Sequence, residues 1–237
     1  MSLITSYKEK QISLPDGFVY LHTIDPSIEV SLRYLGNDNF VGCPIEGYSA
    51  PVVILTKDAA QALKKAQACF LKDGYSLIVY DAYRPQTAVN HFKRWSEAFQ
   101  DQKMKDWFYP RLDKSKAFEL GYISHRSGHT RGSTLDISLI PLDKALHPII
   151  PTPRKLRDGF EILFLDDGTI DMGSSFDLFD QASHYENELI ADEHKKWRLY
   201  LKETMESCGF KSYVKEWWHF TLKDEPFSDT YFDFPIA

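Results

Sequence analysis

The chain has 237 residues, with 28 Lys and Arg against 34 Asp and Glu, a formal charge of -6 and no basic run. That length buries a core without staples, and the mild acidity excludes a typical nucleic-acid protein. With 43% hydrophobic and 26% charged residues and no apolar stretch of about 18, disorder, collagen-like repeats and membrane spans are excluded too.

Three cysteines, none in a C-x-x-C pair, read as buried, inert thiols of a reducing compartment. The segment Met1 to Lys8 lacks the basic, apolar and small-residue layout of a signal peptide. A cytoplasmic protein is therefore expected, or a periplasmic or secreted one if a native leader was removed.

In chain order, Glu29 to Tyr34 alternates as a strand does, and residues 36–51, rich in Gly, Pro and Asn, form a long loop suited to carrying function. A helix follows, capped by Thr56, with Ala59, Leu63, Ala66 and Phe70 on one face and Gly74 as its stop. Tyr75 to Asp81 reads as a strand. A second helix runs from Thr87 to about Gln100, with Val89, Phe92, Trp95 and Phe99 as its buried stripe. Residues 124–133 make a Ser/Gly/His-rich turn, and Thr134 to Ile140 a strand. The Pro-rich stretch 141–160 has no clear assignment, and Glu161 to Met172 reads as a hairpin turning at Asp166-Asp167-Gly168. Glu188 to Cys208 is the longest helix, with Trp197, Leu201 and Met205 in register. Phe210 to Val214 and Trp217 to Leu222 form a closing antiparallel pair. Without a regular βαβ alternation or a flexible linker, the expectation is one α+β domain over residues 1–237.

The eight histidines direct attention to metal chemistry. His129 and Asp136 form H-x6-D, while Glu216 and His219 form E-x2-H; with this composition about 0.7 and about 0.4 such matches are expected by chance, so either spacing alone means little. Their surroundings are more specific. Ser127-Gly128-His129-Thr130-Arg131-Gly132-Ser133-Thr134-Leu135-Asp136 puts an imidazole in a glycine-flanked turn and a carboxylate on the following strand. With His219 from a distant strand, these make a three-ligand zinc site whose fourth position stays open, and zinc there lowers the pKa of water from 15.7 to roughly 7. Glu216 is then the non-ligand carboxylate that moves the proton. Residues three apart on a regular strand face opposite ways, so Glu216 and His219 converge only through a bulge. Trp217 and Trp218 would then send one indole to the site and one to the core. Arg84, between a strand and Pro85, suits oxyanion stabilisation, with Asp81 to orient it. His22, His91, His147 and His194 read as ordinary turn or core histidines, and His125 and His184 receive no role.

Together, S-x-H-x-R-G-S-x-x-D, E-W-W-H and the upstream D-x-Y-R-P resemble the D-alanyl-D-alanine dipeptidases of the vancomycin-resistance type, within the wider group that includes D,D-carboxypeptidases and the hedgehog signalling domain. The likeness runs from about Ile24 to Pro235 and includes Tyr231-Phe232-Asp233-Phe234-Pro235. It implies a central, mostly antiparallel sheet flanked by helices and one Zn²⁺ per chain on His129, Asp136 and His219. It also implies Glu216 as catalytic base and Arg84 as stabiliser of the tetrahedral transition state. Within Met172 to Asp177, Asp177 matches the residue that binds the substrate ammonium. Ser127 matches a pocket serine, and Tyr34 and Tyr48 match tyrosines that close over the dipeptide.

The chain is longer than the family pattern over about 141–170, where an extra loop and hairpin are expected beside the active site. The implied partner is a small dipeptide, with no nucleic acid and no membrane; oligomeric state is left open. Two other readings remain at this stage. One is a peptidoglycan D,D- or L,D-carboxypeptidase acting on longer stem peptides. The other is a non-catalytic zinc-containing binding module, against which Glu216 and Arg84 both argue.

Overall fold

A computed structural model describes residues 13–237; the amino-terminal segment read for a leader lies outside them. The first half runs β1 (Phe18–Tyr20), α1 (Leu21–Ile24), β2 (Glu29–Val30), β3 (Ile54–Thr56), α2 (Lys57–Lys72), β4 (Tyr75–Asp81), α3 (Gln86–Glu97) and α4 (Lys105–Phe108). The second half runs β5 (Thr134–Pro141), β6 (Ile150–Lys155), β7 (Glu161–Asp166), α5 (Asp192–Ser207), β8 (Phe210–Tyr213) and β9 (Glu216–Leu222). The central sheet has the order β2-β4-β5-β9-β8, parallel only between β2 and β4. This is the expected α+β domain with a mostly antiparallel sheet.

β4 and β5 are buried along nearly their whole length, which is why both read as near-continuous apolar runs. Thr56 caps α2 by accepting from the Ala59 amide at 3.3 Å, and Ala59, Leu63, Ala66 and Phe70 are buried as their spacing predicts. The ring of Phe70 meets Tyr200 of α5 edge-on at 5.6 Å, joining the two long helices. The start of α3 is held from the far end of the chain. Asp233 accepts from the amide of Thr87 at 2.7 Å and from its hydroxyl at 2.9 Å, so the terminal Y-F-D-F-P segment braces the turn that carries Arg84. Beside it, Gly132 adopts φ +81°, and a Cβ there would lie 2.2 Å from the Phe18 ring, so only glycine serves at this point of the metal-bearing turn.

Several local expectations need correction. The strand expected over Glu29–Tyr34 ends at Val30, and Tyr34 sits in a 3₁₀ turn over Arg33–Leu35. The reason is Asn39, fully buried, whose amide donates to the carbonyls of Arg33, Gly36 and Cys43 while its oxygen accepts from the amides of Val41 and Gly42. A side chain that satisfies the backbone in this way competes directly with a strand ladder. α3 stops at Glu97, leaving Phe99 61% exposed, and α5 begins at Asp192 instead of Glu188. The cysteines are free but half-buried.

The hairpin also differs. β7 pairs with the Pro-rich β6 and not with the residues after it, so the reversal lies between Lys155 and Glu161. Pro151 and Pro153 are two apart, which puts both donorless nitrogens on one strand edge and leaves the other edge free to pair. Asp166-Asp167-Gly168 is instead the turn that leaves β7, with Asp166 accepting from the Gly168 amide at 3.0 Å.

Candidate metal centre and active site

Sheet register assembles the site. Asp81 of β4 lies opposite Asp136 of β5, and Asp136 lies opposite His219 of β9, so three polar side chains share one row across adjacent strands. A register break between Val79 and Asp81 brings Asp81 into that row. His129 arrives from the 3₁₀ turn over Gly128–Arg131 that precedes β5. Ser127 caps this turn, accepting from the His129 amide at 3.3 Å.

His129, Asp136 and His219 form a group able to hold a metal ion. His129 Nε2 lies 3.3 Å from His219 Nδ1 and 3.3 Å from an Asp136 oxygen, and His219 Nδ1 lies 3.1 Å from the other Asp136 oxygen. Four ligands at about 2.0–2.1 Å from a tetrahedral zinc are about 3.3–3.4 Å from one another, so these separations are of the size a zinc site needs. His129 Nδ1 donates to the Ala82 carbonyl at 2.7 Å, which leaves its Nε2 lone pair facing the group. Asp136 Oδ1 is buried and accepts no hydrogen bond from the described residues, as suits a metal ligand.

The required bulge is present. Ser212 pairs with Phe220, yet Tyr213 pairs with Glu216, so the three residues between Glu216 and Phe220 have no partner in β8. The irregularity turns Glu216 toward His219, Oε2 to Nδ1 at 3.4 Å, although the two stand three apart. Trp218 lines the same cavity, whereas Trp217 points away and donates to Ser174 at 3.1 Å.

Arg84 is held rigidly: Nε donates to Asp81 at 2.9 Å, its Nη2 lies 2.8 Å from the same oxygen and 3.6 Å from Asp136, and its guanidinium packs 5.1 Å from the rings of both Tyr34 and Phe92. Tyr48 donates to the other Asp81 oxygen at 2.7 Å. Tyr34 donates to Asp177 at 2.8 Å, and Asp177 is the one non-glycine residue at positive φ, +61°, among the described residues. Asp tolerates that region better than most residues, so its conformation is consistent with a side chain held for a purpose.

Burial shapes the electrostatics. It pushes the Glu216 carboxyl well above the usual range, with the charges of Asp136 and Asp177 adding to it. Asp177 is raised by burial and then by Asp136, against the hydrogen bond from Tyr34. Burial alone would raise Asp136 as well, but the His129 and His219 imidazoles hold it well below the ordinary value. Burial lowers His219, favouring the neutral, ligating imidazole. These directions belong to the protein groups alone; a dication among the three ligands would pull the neighbouring carboxyls down.

The ligand group, Glu216, Arg84, Tyr34 and Asp177 open on one cavity of about 580 Å³. The sequence profile of the D-Ala-D-Ala dipeptidase family, Peptidase M15, matches residues 15–147 and 161–237. The chain belongs to this family. A D-alanyl-D-alanine dipeptidase of Enterococcus faecalis is 35% identical over 224 residues, covering 94% of this chain and 100% of that protein. One of Streptomyces coelicolor is 37% identical over 220 residues, covering 93% and 98%. A solved structure of a vancomycin-resistance D,D-pentapeptidase in complex with Zn(II) matches more distantly, at 15% identity, 76% and 78% coverage and a TM-score of 0.38. Membership makes the chain a metallopeptidase, and no helix among its described residues is long and apolar enough to cross a membrane.

In this M15 peptidase His129, Asp136, His219, Glu216, Arg84, Ser127, Tyr34 and Asp177 all line the cavity. Tyr48 does not; its hydroxyl reaches Asp81 behind Arg84. The profile match skips residues 148–160, which hold β6 and the reversal into β7. That hairpin, expected beside the active site, contributes no lining residue. It packs beneath the Asp177 segment: Leu156 and Ile162 cluster with Leu178, and the Leu165 amide donates to Ser175 at 2.7 Å. Tyr122, Phe179 and Arg126 also line the cavity and went unremarked in the sequence. Tyr122 and Phe179, stacked at 5.4 Å, come from irregular segments without periodicity, whereas Arg126 stood in plain view three residues before His129.

Proposed function

We propose that this peptidase hydrolyses D-Ala-D-Ala and similarly small D,D-dipeptides, using one zinc ion held by His129, Asp136 and His219. The supporting observation is the grouping of two imidazoles and a carboxylate, with the imidazole nitrogens 3.3 Å apart and 3.1–3.3 Å from the Asp136 oxygens, and Glu216 at its edge. Zinc held by these residues would supply Lewis acidity and lower the pKa of the attacking water to about 7. Glu216 takes a proton from the attacking water and returns it to the leaving nitrogen as the C–N bond breaks, so that the acid and the amine both depart neutralised in proton count.

Arg84 donates to the oxygen on which charge develops as water adds to the carbonyl. Its two contacts with Asp81, itself held by Tyr48, fix the guanidinium before substrate arrives. On the amine side, Asp177 accepts from the substrate ammonium, with Tyr34 holding the carboxylate and Ser127 lining the wall between amine site and metal. Tyr34 and Asp177 are both buried, which closes this side and favours a dipeptide over the amine-side extension of a longer stem peptide. The hairpin around residues 148–160 acts as an insertion that supports the Asp177 segment from below.

Kinetics on D-Ala-D-Ala, its L,L isomer and N-acetyl-D-Ala-D-Ala test this reading. Wild type should cleave the free D,D-dipeptide and leave the acetylated one intact. Asp177→Asn should raise KM for the free dipeptide by roughly one to two orders of magnitude, the loss of one charge-assisted pair. Equal cleavage of free and acetylated substrate would contradict the assignment.

A further inference from the structure

The cavity lining contains a cation, at an exposed position, that the chemistry above does not use. Three arginines line the cavity, Arg84, Arg126 and Arg131. Arg84 is neutralised by Asp81, and Arg131 by Glu225 through Nε at 2.8 Å and Nη2 at 2.6 Å. Arg126 differs. Among the described residues its guanidinium has no carboxylate within ion-pair distance, and none of its side-chain nitrogens donates a hydrogen bond to the protein. It rests instead on Tyr231, 4.5 Å from the ring centroid, while Arg131 packs against the same ring at 5.7 Å and reaches its hydroxyl at 3.4 Å. The ring therefore supports a guanidinium whose donors remain available.

We propose that Arg126 anchors the C-terminal carboxylate of the substrate. The inference rests on the dipeptidase reading and adds the end of the substrate which that reading leaves unassigned. A dipeptide is a zwitterion whose termini lie at most about 7 Å apart. One terminus is taken by Asp177, and the scissile carbonyl must face the ligand triangle. The carboxylate then projects beyond the metal, on the leaving-residue side. Arg126 lines the same cavity at an exposed position, three residues before the ligand His129 on the segment that runs through Ser127 and Gly128 into it, and we assign it to that end of the substrate. A planar guanidinium with free donors matches a carboxylate in bidentate fashion. Arg131 is occupied by Glu225 and Arg84 by Asp81 and its work at the scissile carbonyl, and Asp177 repels a carboxylate placed the wrong way round. The two anchors together set substrate length from both ends: an extended C-terminus would carry its charge past Arg126.

Because the carboxylate is present in substrate and transition state alike, Arg126 contributes uniform binding and shows in KM, not kcat. The test compares D-Ala-D-Ala with D-Ala-D-Ala amide, which lacks the terminal charge, in the zinc-loaded full-length protein. Wild type should favour the acid over the amide, and Arg126→Ala should raise KM for the acid about tenfold or more while leaving KM for the amide and both kcat values within about twofold. Arg126→Lys should recover part of the loss. An equal effect of Arg126→Ala on acid and amide, or no effect on either, overturns the proposal. Failure of wild type to hydrolyse either compound would refute the dipeptidase reading. In that event the acid-to-amide ratio in calorimetric binding still decides Arg126, and equal binding, or none, overturns it.

Discussion

Glu216→Gln is expected to lower kcat for D-Ala-D-Ala by about 10²–10⁴ while leaving zinc content at the wild-type level. Glutamine keeps the volume and hydrogen-bonding capacity of a side chain that is 6% exposed, so packing beside Trp218 survives. What it cannot do is exchange a proton with the attacking water or the leaving nitrogen. Glu216 stands 3.4 Å from His219 Nδ1 but outside the ligand triangle, so the variant separates proton transfer from metal binding. Parallel metal analysis and steady-state kinetics read both. A variant with full turnover would remove Glu216 from the mechanism, and one that lost its zinc would make it a ligand.

Arg84→Ala is the second large effect, with two components. Loss of an oxyanion donor should cost about 10²–10³ in kcat. The substitution also leaves Asp81, 1% exposed, without the cation that balances it, and breaking a buried pair typically costs about 3–5 kcal/mol. Thermal unfolding should therefore move down along with activity. Arg84→Lys separates the components: the retained charge should restore most of the stability, whereas a single ammonium cannot reproduce the fork that meets Asp81 through two nitrogens, so kcat should stay low. Recovery of both by lysine would reduce Arg84 to a structural cation.

The candidate metal ligands are legible because they occupy a turn and two strands whose residue types are unusual for those positions. His129 follows a Ser-Gly pair, Asp136 interrupts an apolar strand, and His219 ends a tryptophan pair. Register then did what linear spacing does not reveal: Asp81 and His219 face Asp136 from either side. The bulge that turns Glu216 inward was required by strand geometry before it was seen, because alternation forbids the contact otherwise. Tyr34 illustrates the opposite case. Its stretch alternates like a strand, yet a buried asparagine five residues later binds the loop and curls it. No local pattern carries such an interaction. The hairpin was misplaced for a related reason: Asp-Asp-Gly is a strong turn signal, but pairing was decided by the free edge of a proline-bearing strand.

The most direct measurement is hydrolysis of D-Ala-D-Ala by metal-stripped protein titrated with zinc, followed as released D-alanine. The account predicts no release before zinc is added, activity that rises linearly to one zinc per chain and then levels off, and no recovery in His129→Ala at that stoichiometry. Undiminished release from the stripped protein, or saturation at a different stoichiometry, would contradict it.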